Sequence, residues 1–304
     1  MPFLDRQTAL KIGTSSLVLI DAEDISYSVK TDKTGRNIYR NTISKIQPDR
    51  VVRRYIELSF KFPLVGRPDK IAANLEILKA CECDVTYDPN SQKTTIKPVT
   101  GSTATVQFEL YRAGKKFVGQ SGKGTVRIEL KSGSIPYLTY SFTALLADIQ
   151  DAALPTETPE AVPEPLVAEN IGILVGETGY PVTCESFELD FGLDVKPRAA
   201  ITAPGGIAGI IIETRNVTGK FNPDAEKRAT FDVWGVYLGN GTDPIVVDGT
   251  RPTMGKIEPG SRYKITLPRV AYTNISDAIQ DGIVVDEIQF ESVGVDDEFL
   301  IEIF

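Results

Sequence analysis

Histidine, the side chain most often used for general acid–base work, does not occur in this chain of 304 residues. Its absence removes Ser-His-Asp and Cys-His arrangements and every imidazole ligand for a metal. Three cysteines remain, Cys81, Cys83 and Cys184. An odd number with one C-x-C pair fits neither a disulfide framework nor a structural zinc site, and buried thiols are expected. Ser121-Gly-Lys-Gly-Thr125 has the composition of a phosphate loop without its spacing. Phe117 stands where the first glycine should be, and Gly124 where a hydroxyl should follow Lys123. Pro204-Gly-Gly-Ile-Ala-Gly209 lacks the strand, glycine spacing and helix of a nucleotide fold and reads as a turn. Carboxylates gather at Asp296-Asp-Glu298 and at Asp277, Asp281 and Asp286. Carboxylate pairs can cleave glycosides, but neighbours along a strand point to opposite faces, and a solvated rim is the simpler reading. No calcium loop of D-x-D-x-D-G type occurs. The chain is expected to be no enzyme, with no cofactor and no metal.

The elements that would carry these residues are mostly strands. Gly 25 and Pro 19 against Met 2 and Trp 1 imply many turns, and 41% hydrophobic with 24% charged residues is a globular composition. No apolar run approaches the ~18 residues of a membrane span, and the first residues do not read as a secretory signal, so a cytoplasmic place of synthesis and assembly is expected. The net charge of −8 is unevenly spread. Residues 1–150 hold 22 Lys and Arg against 15 Asp and Glu, a balance of +7. Residues 151–304 hold 11 against 26, a balance of −15. Drift between two solvated surfaces would explain this, and so would a basic half of one copy seated against an acidic half of the next. The overall acidic balance argues against tight DNA binding.

A Pro-rich stretch over 151–169, DAALPTETPEAVPEPLVAE, divides the chain near its midpoint and favours extended, semi-rigid chain. Domains are expected at 1–150 and 170–304. On each side the pattern reads strand, strand, helix, strands. Ile25, Tyr27 and Val29 alternate with polar residues, as do Ile56, Leu58, Phe60 and Phe62; after the linker Phe187, Leu189, Phe191 and Leu193 do the same. The counterpart of the second strand is the apolar run over 207–212. Pro68-Asp69 and Pro223-Asp224 would open the helices, with stripes Ile71, Leu75, Leu78 and Phe231, Trp234, Leu238. Closing strands follow, Val126 to Leu130 with Leu138 to Phe142, then 263–270 with 283–290, and a last strand over 297–304. We read a mainly β fold, a sandwich or rolled sheet with one flanking α-helix per domain, duplicated in tandem. The polar stretch 31–50 is too long for a hairpin turn and marks a functional connection.

The order of certain segments resembles the major tail tube proteins of long-tailed bacteriophages. They are Gly122-Lys-Gly-Thr-Val-Arg-Ile-Glu-Leu, leading through Pro136-Tyr-Leu-Thr-Tyr-Ser-Phe-Thr-Ala144 to the Pro-rich stretch, then Ser186-Phe-Glu-Leu-Asp-Phe-Gly-Leu-Asp-Val195. Ile212-Glu-Thr-Arg-Asn-Val-Thr-Gly-Lys-Phe-Asn-Pro-Asp-Ala225 with Phe231-Asp-Val-Trp-Gly235 follow, then Leu267-Pro-Arg-Val-Ala-Tyr-Thr-Asn274 and the C-terminal strand. The resemblance implies tandem tube-like domains, three chains completing a pseudo-sixfold ring, and rings stacked into a virion tail tube for DNA passage. It also implies copies of the chain as the main partner, with a tape measure protein, a tail terminator and distal tail proteins beside them, and viral DNA only in transit. The stretch 31–50 is similar in place to the family's loop to the adjacent ring, with Arg36, Tyr39, Arg40 and Arg50 as contact candidates. Glu188, Asp190 and Asp194 are candidates for a polar channel wall that does not hold DNA by cationic contacts. A baseplate or contractile-system tube component, or a tandem β-sandwich ligand-binding module, are the alternatives.

Overall fold

Alternating apolar residues dictate strands, and the computed structural model, which describes residues 7–35, 48–250 and 258–304, is mainly β. Before the Pro-rich stretch come β1 (Thr8–Gly13), β2 (Val18–Ile20), β3 (Glu23–Thr34), β4 (Arg50–Pro63), α1 (Ala73–Glu76), a 3-10 turn (Ile77–Cys81), β5 (Cys83–Asp88), β6 (Lys93–Pro98), β7 (Val106–Arg112), β8 (Lys115–Lys131) and β9 (Tyr137–Asp151). After it come β10 (Gly172–Val175), β11 (Tyr180–Val182), β12 (Cys184–Asp190), β13 (Leu193–Ala199), β14 (Ile207–Arg215), β15 (Thr218–Pro223), α2 (Val233–Leu238), β16 (Asp243–Gly249), β17 (Tyr263–Gln280), β18 (Ile283–Ser292) and β19 (Leu300–Ile303).

Six antiparallel pairings of the first half recur in the second, in the same order. β1 pairs with β2 and β7, as β10 pairs with β11 and β16. β8 pairs with β7 and β9, as β17 pairs with β16 and β18. β4 joins β9 to β3, as β15 joins β18 to β12. Among the described residues two strand pairings tie the halves together. β8 pairs with β12 through Ile128 opposite Leu189, and β19 bridges β17 to β6 through Ile301 opposite Ile96. Buried residues of both halves accordingly form one contiguous cluster, with Phe60, Tyr140, Phe187, Leu189 and Phe290 at most 1% exposed. No described helix is long and apolar enough to cross a membrane.

Several local expectations need correction. Pro68 and Asp69 do not open α1, which begins at Ala73; Asp69 instead grips Arg67 at 2.8 Å. The carboxylate at the helix start comes from the Pro-rich stretch, where Glu160 accepts the Ala73 backbone N–H at 2.7 Å and meets Lys70 at 2.8 Å. That stretch is a strap across the first half, held also by Lys11 to Glu157 at 2.6 Å and by the Glu160 N–H on the Leu19 carbonyl. Pro223 ends β15, and α2 is capped by Asp232, which accepts from the Gly235 N–H. Trp234 and Leu238 do not face the core, since Trp234 is 36% and Leu238 71% exposed; Val233, Val236 and Tyr237 pack inward. The segment 263–270 pairs with β16 and β19, while β18 pairs with the following residues 270–280. Among the described residues the run 207–212 pairs only with β13, and β15 takes the place expected for it.

Candidate assembly surface

Eight strands lie side by side in the order β3, β4, β9, β8, β12, β15, β18, β17, each antiparallel to its neighbour. Their inward side chains form the core, and the alternate positions build one polar face from Ser26, Ser59, Ser141, Thr125, Lys220 and Gln289. Glu188 and Asp190 share this face on β12. They are not a bare acidic stripe. Arg127 of β8 lies 3.4 Å from Glu188 and 3.0 Å from Asp190, and Lys220 of β15 lies 3.1 Å from Glu188. Burial lowers the affinity of Arg127 for its proton, but the Asp190 hydrogen bond and the nearby carboxylates outweigh it, and the net shift is upward. The ladder is a charge-paired wall across the junction of the halves.

Asp194 is not brought to this ladder. Between it and Asp190 the chain turns at Gly192, with φ 59°, where a Cβ would stand 1.8 Å from the Asn216 carbonyl oxygen. Past that turn β13 and β14 leave as a separate two-stranded ribbon, and Asp194 pairs within it with Lys196, which also reaches Glu213 at 2.6 Å. The base of the ribbon is pinned by Arg215. Its guanidinium binds Asp296 at 2.7 Å and both oxygens of Glu298 at 3.0 and 3.2 Å, and donates to the Val99 carbonyl of the first half.

A second ribbon is the outer part of the β3–β4 hairpin, paired as far as Thr34 opposite Arg50. The stretch 31–50 is therefore largely strand rather than free loop at its ends. Arg50 sits at the start of β4, exposed; Arg36, Tyr39 and Arg40 lie outside the described residues. The two ribbons meet where Val52, Arg53, Ala199, Ile201 and Gly206 line one groove.

The surface ends in two open strand edges. Among the described residues β3 is paired only with β4, and residues 271–280 of β17 only with β18. The second edge went unread in the sequence because Ala-Tyr-Thr-Asn-Ile-Ser-Asp-Ala-Ile-Gln is half polar. The available signal was Asp281-Gly282, whose φ values of 48° and 82° build the tight hairpin turn such pairs favour. Burial pushes the Cys81 and Cys83 thiols up, and Cys184, half-buried, up to about 12. Among the described residues no group of three or more His, Cys, Asp or Glu is placed to hold a metal ion.

The fold defines the class, a large antiparallel β assembly with two short helices. No protein-family model matches the chain, and no curated protein matches it.

Proposed function

We propose that this chain is a structural subunit that joins copies of itself into rings stacked as a tube, in the manner of the major tail tube proteins it resembles. One observation carries the reading. The eight-strand sheet ends in two unpaired edges, β3 from the first half and 271–280 from the second. An open edge is a template for another strand, and closure around a ring is how a sheet disposes of both. The polarity suits closure. Eight alternating strands leave β3 and β17 antiparallel, so rotating a copy beside itself continues the alternation without a break.

The recurring pairings fit a tandem duplication with domains at 1–150 and 170–304 and the strap between them. Each chain then supplies two equivalent wall segments, and three chains make a pseudo-sixfold ring. The polar face lines the channel, where paired charges and hydroxyls present DNA with no uncompensated cationic patch that would hold it by counterion release. The two ribbons, with Arg50, extend toward the adjacent ring, and Arg36, Tyr39 and Arg40 stay contact candidates by the resemblance alone. In this reading the protein is virion structure without catalysis, assembled in the host cytoplasm, with tape measure, terminator and distal tail proteins as further partners.

Negative-stain electron microscopy over a protein concentration series tests this. Hollow rings or tubes with threefold or sixfold end views are expected. Dispersed monomers at every concentration, in low and high salt alike, would refute it.

A further inference from the structure

The two halves are joined by a strand pairing of their own, and this internal junction dictates how one copy meets the next. The correspondence between the halves can be fixed residue by residue. Leu10 and Ile12 of β1 face Leu110 and Phe108, as Ile173 and Val175 of β10 face Val247 and Ile245. Phe108 then faces Gly119 and Val106 faces Gly122, so two residues on β7 span three on β8. The same irregularity recurs in the second half, where Ile245 faces Leu267 and Asp243 faces Val270. Gly122 therefore corresponds to Val270.

From that anchor, Phe142 corresponds to Phe290 and Tyr140 to Ile288 on the next strands. Their partners match Leu58 to Gly219 and Phe60 to Phe221. One strand further, Tyr27 faces Leu58 as Leu189 faces Gly219, which matches β3 to β12. The open edge 271–280 is likewise the counterpart of the end of β8. After the extra residue between Tyr272 and Asn274, Ile275 matches Val126, Asp277 matches Ile128, and Ile279 matches Leu130.

Within the chain, β8 and β12 are already hydrogen-bonded, with Arg127 opposite Asp190, Ile128 opposite Leu189, Glu129 opposite Glu188 and Leu130 opposite Phe187. The free edges are the same two strands one domain further on. Exposure agrees with a missing neighbour. Leu130 is 5% and Phe187 1% exposed at the junction, whereas Ile279, the match of Leu130, is 79% exposed. Ile25 and Tyr27, the matches of Phe187 and Leu189, are only half-buried although they pack against the core.

Resting on the assembly reading above, we infer that residues 276–280 of one copy pair antiparallel with residues 24–28 of a second copy of this chain. In this seam Ser276 lies opposite Ser28, Asp277 opposite Tyr27, Ala278 opposite Ser26, and Ile279 opposite Ile25. Ile279 is its apolar anchor. It fills against Ile25 the place that Leu130 fills against Phe187, and its present exposure is the cost of the unassembled state. The seam continues the inner sheet without a shift of face, since Ser26 and Ala278 both fall on the polar side.

The test is cross-linking by paired cysteines in the full chain. Ser26→Cys with Ala278→Cys places the two thiols directly opposite, and mild oxidation is expected to yield intermolecular disulfides in a ladder that stops at the ring size. Ser28→Cys with Ala278→Cys, two residues out of register, should cross-link at least fivefold less, and each single variant controls for Cys184. Ile279→Asp, at an exposed position that the folded monomer tolerates, should raise the concentration needed for half-assembly at least tenfold with an unchanged circular dichroism spectrum. Rings that form while the out-of-register pair links as well as or better than the in-register pair overturn the seam and leave the tube standing. Unimpaired assembly of Ile279→Asp does the same. Absence of any ring or tube overturns the tube and the seam together.

Discussion

Arg215 is the residue whose loss should be felt most. It closes the base of the β13–β14 ribbon by binding Asp296 and Glu298, and through the Val99 carbonyl it ties that ribbon to the first half. The side chains of Arg215 and Glu298 are 13% and 11% exposed, while Asp296 is 35% exposed. Removing one partner of a buried pair typically costs about 3–5 kcal/mol, because the other charge is left unpaired in a poor solvent. The partial access of water to Asp296 trims this, and Arg215→Ala should lose about 2–4 kcal/mol. At about 2–4 °C per kcal/mol for a large domain, the melting temperature should fall by about 4–16 °C.

Scanning fluorimetry with urea titration is the assay, and a paired substitution sharpens it. Arg215→Met with Glu298→Gln removes the more buried of the two orphan carboxylates and leaves only the half-exposed Asp296, so the double variant should recover at least half of the loss. The pH dependence has a definite sign. The Arg215 hydrogen bond, and next that of Thr100, hold the Asp296 carboxyl below its ordinary value of 3.8. Its contribution is therefore complete above pH 3.8 and disappears as the pH falls through the lower folded value, so the Arg215→Ala deficit should be flat from neutral pH down and shrink only below that point. A loss under about 0.5 kcal/mol, or a double variant no better than the single, would refute the view that this cluster is a buried lock.

Two further outcomes follow from the charges near the proposed seam. Burial first, and then the facing charge of Asp277, raise the Asp286 carboxyl above its ordinary 3.8. A raised carboxyl is no burden below pH 3.8 and a full burden above its folded value, so Asp286→Asn should stabilise the chain at pH 7 by about 0.2–1 kcal/mol, with the gain vanishing on acidification; destabilisation at pH 7 in urea titrations would contradict this. Assembly through Ile279, Ile25 and facing hydroxyls should persist between 0.1 and 1 M salt on the order of unchanged, since salt screens charge pairs but not apolar contact; dissolution of rings by salt, read by light scattering, would locate the main attraction in the unequal charges of the two halves instead.

How much of this was legible in the sequence depended on the face a residue serves. Strict alternation announced the strand over Ile56 to Phe62 and, from Phe187, β12 as far as Asp190, because each has one wet and one dry side, and the pairing of Val126 to Leu130 with Leu138 to Phe142 could be read from the same rule. The helices were misplaced for different reasons: Leu75 and Leu78 are buried as expected, but Asp69 is taken up by Arg67 and α1 begins only at Ala73, whereas in the second half the stripe itself fails, with Leu238 71% exposed. The cap of α1 was beyond local reading, since its carboxylate, Glu160, arrives from 87 residues away. The acidic strand expected over 186–194 holds only as far as Asp190, since the turn at Gly192 sends Leu193 and Asp194 into β13; and its charge-paired wall was not legible, because the cations sit on β8 and β15, far off in sequence.

The weak likeness of the two halves has a physical cause as well. Positions that correspond in backbone differ in what surrounds them. Ile128 and Leu138 are both buried, and a core pair there must be apolar; of their counterparts, Asp277 is exposed on the open edge, while Asp286 is buried opposite it and holds its carboxyl above the ordinary value. Glu129 and Glu188, like charges directly opposed, are tolerated only with Arg127 and Lys220 alongside; their counterparts Ala278 and Ser26 need no such neighbours. The halves repeat irregularities in strand pairing where their residue types differ, because a bulge constrains the backbone of both partners while a side chain at a wet edge is little constrained. A strand that must stay unpaired until a second copy arrives is under a further demand, to offer little apolar surface to the wrong neighbour. One exposed isoleucine among serine, alanine and aspartate on 276–280 meets that demand.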